Sequence, residues 1–265
     1  MAAKTLLITG ASSGIGEAIA LAYAARGDDV ALAARDEAAL RRVAERCERA
    51  GGRALVVPTD VTDPEQCRVM VDKTVERFGK LDVAIANAGI SMWARFDEVT
   101  DLSVFERIMR VNYLGTVYTA HFALPHLKRS KGLLVGVSSL TGKTGVPTRS
   151  GYAASKHAMH GLLDSVRIEV ADDGVDVLLL CPGFVRTDIR AKVLGPDGKP
   201  RGQSPRDETG KDTMSLEECT RICVRAIDRR EREVVMTTKA KVGMWLKLAF
   251  PGAVDRIARR AIEQR

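Results

Sequence analysis

The chain has 265 residues, of which 45% are apolar and 28% charged. That is the composition of a globular protein, and it excludes disorder and fibrous architecture. No apolar run approaches the roughly 20 residues that span a bilayer, and the opening stretch Met1 to Thr9 is too short for a secretory signal, so a cytoplasmic protein is expected. The net charge of +7 is unevenly placed: twelve basic and five acidic residues fall between Arg221 and Arg265, which leaves the first 220 residues neutral. The five cysteines, Cys47, Cys67, Cys181, Cys219 and Cys223, are odd in number and form no C-x-x-C pair, which argues against a disulfide framework or a zinc ribbon.

Strand-like and helix-like segments alternate along the chain. Thr5–Thr9 reads as a buried strand, and Glu17–Arg26 as a helix stopped by Gly27. Val30–Ala34 is a second strand. Asp36 is placed to cap a helix that runs to Gly51-Gly52, and Ala54–Val57 is a third strand. Asp63-Pro64 pairs a capping residue with proline at the first helical position, opening a helix to about Phe78. Leu81–Ala86 is a fourth strand, followed by one long helical region from about Leu102 to Leu127 and a strand at Leu133–Val137. A helix over Tyr152–Val170, a strand over Val175–Leu180, a helix over Leu216–Arg229 and a strand over Glu233–Met236 complete the series. Seven short apolar strands without strict alternation predict a parallel sheet covered on both faces. Right-handed crossovers then give a single doubly wound α/β domain of Rossmann type, with helices on both faces, over residues 1–265. The polar stretch within 186–214 is too long for an ordinary connection and is expected to be a substrate loop or lid.

The first strand runs into Thr9-Gly10-Ala11-Ser12-Ser13-Gly14-Ile15-Gly16 and then a helix. Glycines permit a tight turn and close backbone approach to a pyrophosphate, and a helix N-terminus adds N–H donors and partial positive charge. The spacing is G-x-x-x-G-x-G rather than G-x-G-x-x-G, so its place between strand and helix carries the argument. The second strand ends in Ala34-Arg35. A carboxylate there would hold the ribose hydroxyls of NAD. Its absence, together with Arg35 as a partner for a 2′-phosphate and Ser12 as a further donor, predicts NADP(H).

Tyr152 and Lys156 are spaced i, i+4 on a predicted helix and project from one face. A free phenol is a poor base at neutral pH, and a neighbouring ammonium favours its ionised form, so the pair can act as a general acid/base. Ser138-Ser139, Asn87-Ala88-Gly89 and Pro182-Gly183 end the fifth, fourth and sixth strands. Those ends face the crevice where open α/β sheets bind ligands.

In this order and spacing, Thr9-Gly-x-x-x-Gly-x-Gly16, Asp60-Val61, Asn87-Ala-Gly89, Asn112, Ser139, Tyr152-x-x-x-Lys156 and Pro182-Gly-x-x-x-Thr187 resemble the short-chain dehydrogenase/reductases. The resemblance covers the chain to about residue 238 and looks most like the NADP-using branch that includes hydroxysteroid and carbonyl reductases. One departure is Ala86, where the family often has a second asparagine. The resemblance implies that Tyr152 exchanges the proton, that Lys156 lowers its pKa and holds the nicotinamide ribose, and that Ser139 orients the substrate oxygen. It implies that Asn112 holds a water connecting Lys156 to solvent and that Asn87 braces the sheet. Asp60 and Val61 then receive the adenine, Ile15 meets the pyrophosphate, and Val185 and Thr187 meet the nicotinamide amide. It also implies a homodimer or homotetramer paired through the helices after Asn112 and at Tyr152.

Met92, Trp93 and Phe96 follow the fourth strand, and Phe184, Ile189, Val193 and Leu194 flank the sixth. Both groups are expected to line an apolar substrate pocket, which points to a steroid-, lipid- or xenobiotic-like ketone or aldehyde. A 3-oxoacyl thioester is the alternative substrate, and an NADP-binding sensor or scaffold the alternative class. His121, His126, His157 and His160 form no ligand constellation, so no metal is expected. Ser139 is in no G-x-S-x-G elbow, and no motif for nucleic acid is present. In the tail, 239–265, Val254, Ile257, Ala258, Ala261 and Ile262 recur at helical spacing opposite Arg256, Arg259 and Arg260. Such a helix suits either a membrane surface or packing on its own domain or on a partner subunit.

Overall fold

Leu6 and Ile8 project from one side of the first strand and Leu7 from the other, and all three are fully buried. A strand hydrophobic on both faces must sit between two layers of helices, and that is the architecture. The computed structural model describes residues 3–186, 193–201 and 213–263, with side chains for all of these except 238–240 and 260–263. Among them are nine strands: β1 (Thr5–Thr9), β2 (Asp29–Ala34), β3 (Arg53–Pro58), β4 (Val83–Ala86), β5 (Leu133–Val137), β6 (Asp176–Cys181), β7 (Phe184–Val185), β8 (Thr213–Met214) and β9 (Glu233–Val235). The helices are α1 (Gly14–Ala24), α2 (Glu37–Arg49), α3 (Pro64–Phe78), α4 (Ser103–Met109), α5 (Gly115–Ser130), α6 (Ser150–Glu169), α7 (Leu216–Asp228), α8 (Thr238–Ala249) and α9 (Pro251–Glu263).

Seven strands form one parallel sheet in the order β3-β2-β1-β4-β5-β6-β9. The chain winds outward from β1 in one direction and then from β4 in the other, so the order reverses between β1 and β4. That switch point opens a crevice at the carboxyl ends of the strands. On one face Ile19 and Tyr23 of α1, Leu40 and Val43 of α2 and Ile227 of α7 pack against Leu6, Ile8, Leu32, Ile85 and Leu180. On the other, Met70 and Val71 of α3, Ala123 and Leu127 of α5 and Leu163 of α6 pack against Leu7, Ala33, Ala84, Leu134 and Leu179. Each fully buried leucine or isoleucine contributes about 1.5–3 kcal/mol, so these two layers fix the strand ends on which the site depends.

The helix starts follow their caps. The Asp36 carboxylate accepts from Ala39 N at 2.9 Å, and Asp63 accepts from Glu65 N and Gln66 N ahead of Pro64. The long helical region expected from Leu102 to Leu127 runs from Ser103 to Ser130, with one irregular turn inside it. α4 and α5 are separated by a π-helical turn over Arg110–Leu114. Its cause is local. Asn112, fully buried, accepts from Ile90 N at 2.8 Å and donates to Ile90 O at 3.0 Å and to Ser155 Oγ at 2.9 Å. Drawing that side chain inward widens the helix by one residue. The β7–β8 pair is a second, two-stranded parallel sheet that apolar periodicity did not reveal.

Candidate active site

The nucleotide end is built by stitching β1 to β4. Thr9 Oγ1 accepts from Asn87 N and Ala88 N at 3.0 and 3.1 Å and donates to Ile85 O, while Asn87 Nδ2 donates to Thr9 O and Gly10 O at 2.9 and 3.2 Å. Gly10 and Gly14 have φ of +65° and +62°, a region that favours glycine. A Cβ on Gly10 would stand 2.9 Å from both Ala88 Cα and Asn87 Nδ2. Ser13, the N-cap of α1, makes no capping bond through its side chain, so the first N–H groups of the helix face the crevice beside Ser12, Ser13, Gly14 and Ile15. Gly16 stands behind the turn rather than on the crevice wall, where a Cβ would lie 2.6 Å from Gly10 O. Ala34 and Arg35 line the same end of the crevice, as do Asp60 and Val61. The Asp60 carboxylate accepts from Thr62 N and Thr62 Oγ1. A tight turn with no room for side chains, an open helix N-terminus and a cation at the tip of β2 fit a dinucleotide phosphate.

The chemistry end lies at the mouths of β5 and β6. Ser139 follows β5, and it lines the crevice together with Tyr152. Tyr152 and Lys156 lie one turn apart on α6, with Lys156 Nζ 5.8 Å from the Tyr152 ring centre. The ammonium is buried and donates to Val137 O at 2.8 Å, with Met159 Sδ at 3.3 Å. Burial lowers its pKa to about 8, opposed by Cys181. Burial also raises the Tyr152 phenol above the ordinary tyrosine value; the Arg149 guanidinium and then the Ser139 hydroxyl oppose that rise. Sequence reasoning passed over Arg149, which precedes Tyr152 by three residues and so shares its helix face. Gly89 brings the last partners together, since a Cβ there would be 3.3 Å from Asn112 Oδ1 and 3.6 Å from Lys156 Nζ. Ser138 Oγ and His160 Nε2 lie 2.9 Å apart behind this group.

The two ends are one crevice of about 940 Å³. Ala88, Pro182, Gly183, Phe184, Val185 and Val193 line it. Met92, Trp93 and Phe96, expected on its wall, are not there. Met92 is fully buried in a satellite core with Val104, Ile108 and Leu194, Trp93 lies under the Arg149 guanidinium, and Phe96 faces solvent. The reason is that Met92 pairs with Leu194, and a Cβ on Gly151 would be 3.0 Å from Met92 Sδ, so this glycine lets α6 close over the methionine. Thr187 and Ile189 lie outside the described residues, as does most of the expected loop 186–214. Within that loop Val193–Arg201 is ordered against the segment after β4, through Trp93 N to Leu194 O and Leu194 N to Ser91 O. The tail supplies what the sequence did not assign to the site. Gly243 and Met244 of α8 and Val254 of α9 close the outer wall, and Lys247 Nζ donates to Thr144 Oγ1 at 3.1 Å. The tail positions Ala261 and Ile262 carry no described side chains.

A family model described as "short chain dehydrogenase" matches residues 4–196. The chain belongs to the short-chain dehydrogenase family. It is 37% identical over 263 residues to 11-beta-hydroxysteroid dehydrogenase A of Sesamum indicum, covering 98% of this chain and 75% of that one. To 11-beta-hydroxysteroid dehydrogenase-like 2 of Arabidopsis thaliana it is 35% identical, covering 95% and 79%. Among solved structures, the alcohol dehydrogenase of Thermococcus sibiricus complexed with 5-hydroxy-NADP superposes with a TM-score of 0.76 at 30% identity, covering 88% of this chain and 95% of that one. A short-chain dehydrogenase/reductase of Burkholderia phymatum in complex with NAD superposes with a TM-score of 0.82 at 25% identity, covering 93% of each. As a short-chain dehydrogenase, the protein is a nicotinamide-dependent oxidoreductase acting on CH–OH and C=O groups.

Proposed function

We propose that the protein is an NADP(H)-dependent reductase of apolar ketones and aldehydes, reversible as an alcohol dehydrogenase. The observation that carries this reading is the continuity of the crevice, which joins the glycine turn and Arg35 to Tyr152 and Ser139 within apolar walls. Gly10, Ser12, Ser13, Gly14, Ile15 and Arg35 hold the phosphates, Asp60 and Val61 the adenine, and Val185 the nicotinamide end. Bound there, the nicotinamide supplies the hydride. Ser139 orients the carbonyl oxygen, and Tyr152 delivers a proton to that oxygen as it gains charge. Lys156 holds the ribose and, with Asn112, connects the phenol to solvent as a proton path. Ala34 places no carboxylate at the tip of β2, and Arg35 beside it favours the phosphorylated cofactor. NADPH oxidation followed by absorbance over steroids, retinals, aromatic ketones, quinones and acyl thioesters tests the reading. Turnover of a bulky apolar ketone is expected, and it is lost in Tyr152→Phe. Unchanged turnover in that variant overturns the reading, and so does equal affinity for NADH and NADPH in its cofactor part.

The α8–α9 hairpin supports a second element of the proposal, contact of the tail with an anionic membrane surface. Among the described residues, Val242, Trp245, Leu248, Phe250 and Ile257 are all more than half exposed, on helices that also carry Lys241, Lys247, Arg256 and Arg259. No helix among them is long and apolar enough to cross a membrane, so the contact is with the surface. Vesicles of mixed phosphatidylserine and phosphatidylcholine are expected to pellet the full chain better than one ending at Thr238, and equal pelleting overturns it. All five cysteines are free and buried, which supports a cytoplasmic setting. The outer faces of α5 and α6, where Ile168 is exposed, are the proposed seat of a homo-oligomer, tested by sedimentation velocity.

A further inference from the structure

Tyr152 has a cation on each side of it along one helix. Lys156 follows it by four residues, and its ammonium donates to Val137 O. Arg149 precedes it by three, and its guanidinium is clamped. Arg149 Nη1 donates to Ser91 Oγ at 3.0 Å, and Cζ lies 4.7 Å from the Trp93 ring centre, 5.6 Å from that of Phe184 and 6.0 Å from that of Tyr152. The backbone bends to deliver it. Thr148, with φ of +67°, occupies the region that favours glycine, and its carbonyl accepts from Ala94 N at 3.0 Å. A non-glycine residue held there beside a catalytic group is the kind of local strain that surrounding structure maintains for a purpose.

We propose that Arg149 is the fixed cation that sets the proton affinity of Tyr152, a positioning residue that acts through the phenol. The inference deepens the function proposed above and rests on its assignment of Tyr152. The physical argument is one of permanence. A guanidinium is protonated at every working pH, whereas the Lys156 ammonium, desolvated by burial, gives up its proton near pH 8. Above that pH Arg149 remains to favour the phenolate. The other groups facing the pair do not substitute for it. Ser139, after β5, offers only a neutral hydroxyl, and Ser91, after β4, is engaged by Arg149. Phe105 of α4 is apolar. Lys143 and Glu233 pair with each other at 2.8 Å, while burial holds His160 neutral and keeps the Cys181 thiol protonated, behind Lys156.

The test is a pH titration of the full-length protein labelled at tyrosine Cζ and followed by ¹³C NMR, without cofactor and again with NADP⁺. The chain has four tyrosines, and the Tyr152 resonance is the one missing from Tyr152→Phe. In Arg149→Gln its midpoint is expected to rise by about one pH unit, and Arg149→Lys is expected to restore most of the difference. Ser91→Ala and Trp93→Leu, which loosen the clamp and keep the charge, are expected to move it the same way by less, and they serve if Arg149→Gln does not fold. An unmoved midpoint overturns the inference, and so does a wild-type phenol that fails to titrate below the pH of unfolding seen by circular dichroism. Tyr152→Phe with full turnover would instead overturn the function, whatever the titration shows.

Discussion

Asn87 Nδ2 donates to the carbonyls of both Thr9 and Gly10, so one side chain from the end of β4 holds the last residue of β1 and the first of the glycine turn. The turn is shaped by a neighbouring strand and not by its own sequence alone. Replacing Asn87 with alanine leaves two carbonyls without that donor, at about 1–3 kcal/mol. Asn87→Ala is expected to melt at lower temperature and to bind NADPH more weakly, measured by thermal denaturation with and without cofactor.

Arg35 stands on the crevice wall after Ala34. A charge-assisted hydrogen bond to a phosphate is worth about 1.5–3 kcal/mol. Arg35→Ala is therefore expected to raise KM for NADPH by roughly 10- to 100-fold and to leave KM for NADH nearly unchanged, read from steady-state rates with each cofactor.

His160 gives the fold an acid limit. Burial, then the Lys143 charge, lowers its pKa from 6.5 to about 4. A histidine held neutral in the folded state binds fewer protons than it does unfolded between those values, so stability is fully present above pH 6.5 and declines as pH falls toward 4. The loss attributable to this group is roughly 3 kcal/mol. Urea unfolding at pH 7 and pH 4 is expected to show a smaller acid loss in His160→Gln than in the wild type.

Met244 and Val254 reach the crevice from the C-terminal hairpin. Truncating both to alanine enlarges the outer wall without touching Tyr152 or the glycine turn. The double variant is expected to raise KM for bulky apolar ketones several-fold, at about 0.8 kcal/mol per buried CH₂ removed from contact, with little change for small ones. Comparison across a ketone series of increasing size reads this directly.

The seven strands were legible because burial on both faces leaves an unbroken apolar signature, as in Leu133–Val137. The caps at Asp36 and Asp63 were legible because capping is a local event between neighbours in sequence. The π turn at Asn112 was not, since its cause lies in Ile90 and Ser155, distant in sequence and close in space. The apolar wall was only half legible for the same reason. Hydrophobicity marks Met92 and Phe184 alike, and only packing against Val104 and Ile108 removes Met92 from the crevice while leaving Phe184 on it. Arg149 was hidden by its type, since an arginine near a helix start reads as an ordinary surface charge until three aromatic rings are found around it.

The hydrogen bond from Lys247 to Thr144 bridges residues more than a hundred positions apart, one on the terminal hairpin and the other just past the 3₁₀ turn that follows Ser139. The outer wall of the crevice is thereby fastened to the loop leaving β5, so the terminal hairpin and the strand end that carries Ser139 share one point of attachment.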